Sequence, residues 1–319
     1  MPGMNSVHID RALTNLSVKY FQDASTYIAD KVFPIVRVQK QSDRYFVYQK
    51  EDWFKDVARV RAAGTESAGS DYTIDNTPTY FCTKYAIHKD VTEDERVNTD
   101  EPLNADLDAV DFVTDKILLK RENDFIKQYF NAATWDHNWT GTAGKYWDDA
   151  NSDPILDVTT MASNIASVTG KRPNTLTLGR KTYDALRQHP DILDRIKFTQ
   201  KGVITTELLA TLLDVERVLV ANAVIYDHTA VGGNNMHFMF GDGALLTYAP
   251  QSAGIRKASA GYIFTWTGLY GSQSYGARIH RIPMPMLGVG TERIEGEIAY
   301  DMKVVSKDLG AFFAQTVTP

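Results

Sequence analysis

Between Glu101 and Phe130 the chain reads EPLNADLDAVDFVTDKILLKRENDFIKQYF, and after Pro102 neither glycine nor proline interrupts it. Leu103, Leu107, Val110, Val113, Ile117, Phe125 and Tyr129 recur at helical spacing, so one face is apolar. This pattern predicts a single amphipathic helix of roughly 27 residues, about 40 Å long at 1.5 Å per residue. Asp106, Asp108 and Asp111 crowd its first turns, where the helix dipole favours anions.

Around that rod, 319 residues suffice for two domains or one large elaborated one, burying ~75% of the unfolded surface. A net charge of −6 gives no global basic footprint for nucleic acid. One cysteine, Cys82, excludes an internal disulfide framework and fits a reducing compartment. No apolar run reaches the ~18 residues of a membrane span, and MPGMNSVHID lacks the basic and apolar regions of a signal peptide.

Residues 1–43 read as an N-terminal arm. IDRALTNLSVKYFQ has the pattern of a short helix, and in VFPIVRVQKQS Pro34 holds Phe33 away from helix. Residues 44–92 read as a long β-hairpin, with alternation in RYFVYQK and in TYFCTKYAIHKDV around the small-residue tip AAGTESAGS. A two-stranded ribbon is marginal alone in water and needs a surface to lie on. After the long helix, Asp153 is placed as N-cap of a helix from Ile155 to about Val168. Residues 171–283 read as a mixed α/β unit. NTLTLG is a strand, RKTYDALRQHPDILDRIKF two helices broken at Pro190, TTELLATLLDV a helix, and RVLVANAVIYD a buried strand. HFMFGDGALLTYAP reads as a strand pair around Gly-Asp-Gly, and 284–319 returns to strands.

Motifs for chemistry are incomplete. TGTAGKYW lacks two features of a phosphate loop, with Trp139 at the first-glycine position and Tyr146 at the hydroxyl position. Asp90, Asp94 and Glu101 match three positions of an EF-hand loop, but Glu95 stands where glycine makes the turn. Ser274 in YGSQSYG misses the nucleophile-elbow spacing by one residue. The seven histidines show no paired ligand spacing, so no catalytic residue, metal or cofactor is assigned. Arg59 and Arg61, two apart on the hairpin, are expected on one strand face, either solvated or touching an acidic partner. Arg278, His280 and Arg281 form a second small basic group.

The order of elements, together with RPNTLTLGRKTYDALRQHPDILDRIKF, TTELLATLLDVERVLVANAVIY, MFGDGALLTYAP, SAGYIFTWTGLYG and RIEGEIAYDMKVVSKDLGAFF, resembles the major capsid proteins of tailed bacteriophages. Their architecture, the Johnson fold, is shared with encapsulins and the herpesvirus capsid floor. The resemblance implies an α+β fold in four parts: an N-arm (1–43), an extended loop (44–92), a peripheral domain (93–170 and 284–319) with a spine helix at about 103–130, and an axial domain (171–283). It implies self-assembly of hexamers and pentamers into an icosahedral head around double-stranded DNA, without sequence-specific binding. Separate scaffold and portal proteins, and decoration proteins where present, would be partners. The location implied is the virion, assembled in the bacterial host cytoplasm.

Under this resemblance the extended loop lies across a neighbouring subunit. Trp53, Phe54, Tyr72 and Ile74 become its anchors, and Arg59 and Arg61 candidates for intersubunit ion pairs. Two alternatives stay open. One is an encapsulin-type shell around cargo enzymes. The other is an α/β enzyme with its site in 171–283, for which no convergent polar set could be assembled.

Overall fold

The computed structural model describes residues 22–99, 103–196, 204–227, 235–254, 257–270 and 277–319. The expected helix over residues 9–22 and the Ser274 motif lie largely outside them. Short strands lead in: β1 (Ile35–Val38), β2 (Ser42–Arg44), β3 (Val47–Tyr48), β4 (Ile74–Asp75), β5 (Thr79–Phe81) and the longer β6 (Thr83–Val91). Phe33 is extended ahead of Pro34, as its sequence position demands. The long helix α1 spans Ala105–Tyr129. Asn104 caps it, its Oδ1 accepting the backbone N–H of Asp106 at 3.0 Å and of Leu107 at 3.1 Å. After β7 (His137–Thr140), α2 runs Pro154–Thr169. Asp153 Oδ1 accepts the Leu156 N–H, and Gly170 closes the helix in the left-handed region.

The strands β8 (Thr175–Gly179), β9 (Arg217–Ala221), β10 (Val224–Tyr226), β11 (Met236–Phe238) and β12 (Ala244–Thr247) follow, with short helices at Arg180–Leu186, Pro190–Ile196 and Thr206–Leu212. The chain ends in β13 (Gly261–Trp266), β14 (Ala277–Pro283), β15 (Glu292–Val304) and β16 (Gly310–Ala314).

Two five-stranded sheets result. In the first, β15 pairs antiparallel with β6, β13 and β14, and β1 joins parallel to β13. The apolar face of α1 packs on this sheet through Val113, Ile117, Phe125 and Tyr129. In the second, the order is β7-β16-β12-β8-β9, over a core that includes Trp147, Leu176, Leu178 and Phe313.

Two expectations are corrected. Met236–Phe238 and Ala244–Thr247 do not pair with each other: β11 pairs β10, while β12 lies between β8 and β16. The reason is the Gly-Asp-Gly turn itself. Asp242 Oδ1 accepts the N–H of Thr316 (2.8 Å) and of Val317 (3.1 Å), so the turn anchors the C-terminal segment instead of closing a hairpin. Each sheet draws on distant parts of the chain. β13 and β14, from within 171–283, pair under α1, whereas β7, α2 and β16 build the second body. Register with β15 and β12 decides this, and it is set by contacts far apart in sequence. Finally, the hairpin pairs only at β2/β5 and β3/β4, and no regular strand forms over 55–73.

Two buried details hold the arm root and spine together. A Cβ on Gly296 of β15 would meet the methyls of Val113 and Ile117, 2.5 Å from Ile117 Cδ1, so α1 crosses the sheet where there is no side chain. Glu122, fully buried on α1, accepts the Ile28 N–H at 3.1 Å and the Ala29 N–H at 2.9 Å. Burial pushes its carboxyl above the usual range against those two hydrogen bonds. Gly296→Ala is expected to lower unfolding free energy by ~1–3 kcal/mol through overpacking. Glu122→Ala, which leaves two buried N–H groups unpaired, is expected to lower it by ~2–4 kcal/mol. Urea midpoints of the two variants measure both; an unchanged midpoint for either removes that contact from the list of supports.

Candidate assembly surfaces

The ribbon is anchored at its root by aromatic packing. Tyr80 stacks on Phe264 with ring centroids 4.7 Å apart and planes within 8°, and Tyr45 approaches the same ring at 5.4 Å. Cys82 lies buried beneath, its Sγ donating to the Phe264 carbonyl, and burial followed by the charge of Asp301 pushes the thiol up to about 12. Cys82 is therefore a packing residue. Asp301 accepts the Phe81 N–H at 2.8 Å, tying the ribbon to β15.

Further out, Tyr48, Trp53 and Tyr72 form a triangle with centroids 5.8–6.1 Å apart. Trp53 stands on a helical turn, Lys50–Trp53, braced by Asp52, which accepts both the Thr73 N–H and the Lys55 ammonium at 2.8 Å. Trp53 is 63% exposed and Tyr72 55%. An aromatic cluster so built and so uncovered is an interface-type surface.

The structure thus brings Trp53 and Tyr72 together. Ile74 sits beside them on β4, opposite Tyr48. Phe54 lies apart, its ring over Gly170 at the end of α2. Arg59 and Arg61 do not share a strand face, because 55–62 form no strand; Arg61 donates to the Thr65 carbonyl at 2.6 Å across the Gly64 turn.

The second basic group is consumed internally. The Glu297 side chain, 5% exposed, is held by Lys84, by Arg278 at 3.0 Å and by His280 at 3.5 Å. Arg281 reaches Asp106 of α1 at 3.3 Å. Asp90, from the acidic lead-in to α1, is held bidentate by Arg293, and Thr92 and Glu95 form a capping box on Glu93–Asn98.

One surface escaped the sequence reading. Pro283–Thr291, PMPMLGVGT, carries no charge, and it forms the turn between β14 and β15. Met286 is 95% exposed and Val289 87%. Arg96 braces this tip, donating to the Gly290 carbonyl at 2.5 Å and to Glu292 at 2.8 Å. The sequence carried no distinctive signal for it, since uncharged runs longer than 282–291 occur elsewhere, as at 258–277.

Residues 109–259 match the family model described as phage major capsid protein E. Over 318 residues, 97% of each chain, the protein is 28% identical to the major capsid protein of Pseudomonas phage JBD67. Over 255 residues, 77% of this chain and 78% of the other, it is 26% identical to that of Burkholderia phage BcepMu. The chain is thus similar to phage major capsid proteins over most of its length. Solved structures agree on the fold. A phage-related protein from Bordetella bronchiseptica RB50 superposes with a TM-score of 0.72 at 20% identity, covering 94% of this chain and 95% of that one. The capsid of cyanophage P-SCSP1u gives 0.61 at 10% identity, with coverage of 93% and 90%. The holo-SrpI encapsulin complex from Synechococcus elongatus gives 0.58 at 12%, with coverage of 97% and 95%. The Johnson fold is thus the fold of this chain, as the order of its elements implied.

Burial pushes the Glu297 carboxyl up, but hydrogen bonds from Lys84 and Arg278 outweigh it and hold the group below the usual carboxylate range. Its contribution is present above the unfolded-state value and is lost as pH falls through the folded-state value. Glu297→Gln is expected to cost about 2 kcal/mol at neutral pH and nothing once the wild-type group is protonated. Urea midpoints of both proteins from neutral to acidic pH check this. Parallel curves would mean that the network adds no pH-dependent stability.

Proposed function

We propose that copies of this chain close into an icosahedral shell of hexamers and pentamers around double-stranded DNA, and that the ribbon of one copy lies across its neighbour. The observation that carries the reading is the ribbon itself. Its outer part, 55–73, is exposed without regular pairing, and it follows a braced aromatic cluster that its own subunit leaves uncovered. Trp53, Tyr72 and Ile74 act as anchors within that cluster, Phe54 as an outlying one, and Arg59 and Arg61 as polar contacts on the neighbour. The body built on α1 and β15 corresponds to the peripheral domain and the second sheet with its helices to the axial domain. The uncharged tip at 284–290 is a second contact between copies. Scaffold and portal proteins complete the head, which forms in the host cytoplasm and becomes part of the virion.

An encapsulin-type shell shares the fold, but the curated relatives that span this chain are phage proteins, and they favour a head over a cargo compartment.

Deleting Ala62–Ser70, which carries no core residue, is expected to leave a folded subunit of unchanged melting temperature that no longer forms stable shells. Met286→Asp with Val289→Asp is expected to act likewise. Light scattering after size exclusion, with negative-stain images, reads the product. Shells of normal size and yield from the deletion would end the wrapping role, and from the double variant the tip contact.

A further inference from the structure

The ribbon leaves the body over a cleft of about 1980 Å3, with Tyr48, Trp53 and Phe54 on one wall and Thr169, Lys171 and Asp308 on the other. Two contacts span it. The Phe54 ring rests on Gly170, and Lys50, on the helical turn that carries Trp53, forms an ion pair with Asp308. Asp308 sits on the 3-10 turn Lys307–Leu309, between β15 and β16. Asp136, just before β7, lines the same cleft with its carboxyl against that of Asp308.

We propose that Lys50 and Asp308, with Asp136 beside them, form a latch that holds the ribbon root against its own subunit. Two carboxyls in contact share one proton most favourably, with Asp136 as donor and Asp308 as the anion that also receives the ammonium. The direction of each group agrees. The contact with Asp308 and then burial raise Asp136. Burial raises Asp308, but hydrogen bonds from Asp136 and Lys50 outweigh it and hold that carboxyl below its ordinary range.

The other charges facing the pair are few. Glu51 neighbours Lys50 on the ribbon, Lys307 neighbours Asp308, and Lys171 lines the same wall. His137 adjoins Asp136, and its Nε2 is buried without a hydrogen-bond partner. Asp30, Lys31, Arg37, Arg44, Arg217 and Lys257 line the rest of the cleft. Lys307 and His137 oppose the rise of Asp136, so protonating His137 favours ionisation of both aspartates.

The sign differs for the two aspartates. Asp308 is depressed, so its support is present above the unfolded-state value and lost as pH falls through the folded-state value. Asp136 is raised, so its support is present below the unfolded-state value and lost as pH rises through the folded-state value. The latch is tightest between the two folded-state values and loosens on either side. Loosening frees the ribbon root to change its angle of departure, whatever the ribbon later covers; the inference therefore goes beyond the assembly reading.

The test is hydrogen exchange across residues 45–54 of the full chain over a pH series at constant oligomeric state, corrected for intrinsic exchange rates. Protection in the wild type is expected to peak between the two aspartate values. Lys50→Met and Asp308→Asn are expected to lower the peak about three- to fivefold, as for a partly exposed ion pair, and to flatten the profile. Asp136→Asn, which keeps a donor toward Asp308, is expected to retain the peak and lose only the alkaline fall. Arg195→Ala, exposed on the helix Pro190–Ile196 and outside both latch and ribbon, serves as control and should match the wild type. Should Asp308→Asn also expose β16 amides, Lys50→Met alone decides. Unchanged protection in Lys50→Met, or a wild-type profile independent of pH, overturns the latch. Failure of shell assembly would leave this result untouched, because exchange at 45–54 is read within one subunit.

Discussion

The approach of α1 to β15 at Gly296 organises everything that follows. β15 is the strand with the most partners, pairing with β6, β13 and β14, and the helix can lie on it only where a side chain is missing. Once α1 is seated, Glu122 and the Phe33–Phe125–Tyr129 aromatic group have fixed positions, and the arm root is pinned to them. From its far end β15 continues through five residues into β16, so the same strand that carries the spine also positions the second sheet. The arm root, α1 and strands of both sheets thus share one core.

The parts of this fold that were legible in the sequence are those set by local chemistry. The helical spacing of Val113, Ile117 and Phe125, the cap at Asp153 and the break at Pro190 each act within a few residues, and each is found where expected. Strand pairing is a different matter. Met236–Phe238 and Ala244–Thr247 are joined by a turn that favours a hairpin, yet Asp242 is recruited by Thr316 and Val317, seventy residues away. Alternation around the ribbon predicted longer strands for the same reason. β-propensity reports fitness for a half-buried pleated surface, and residues such as Val60, fully exposed here, have no such surface within the subunit. Trp53 and Tyr72 could be picked out because large aromatics are rarely left unexplained, whereas the convergence of Met286 and Val289 on one tip needed the β14–β15 turn to be known first.

Charge is distributed to the same end. Most of the basic residues near the spine are taken up inside the subunit, by Glu297, Asp90, Asp106 and Glu292, which locks β6, β14 and α1 around β15. The ribbon root presents Trp53 and Tyr72 outward and the β14–β15 tip presents Met286 and Val289, while the outer ribbon also exposes Arg59, Arg61, Glu66 and Asp71.

The ribbon root, the spine sheet and the second sheet meet in one short stretch, Val305–Leu309, the link between β15 and β16. A contact made there acts on all three at once. Lys50 reaches that stretch from the ribbon, and Asp136 reaches it from the start of β7, so the angle at which the ribbon departs is referenced to both sheets rather than to either alone. If the ribbon lies across a neighbour as proposed, its anchoring at Tyr80 and exposure at Trp53 make this angle decide which surface the aromatic cluster meets. The link between the sheets is therefore where a change within one subunit would be converted most directly into a change in how subunits touch.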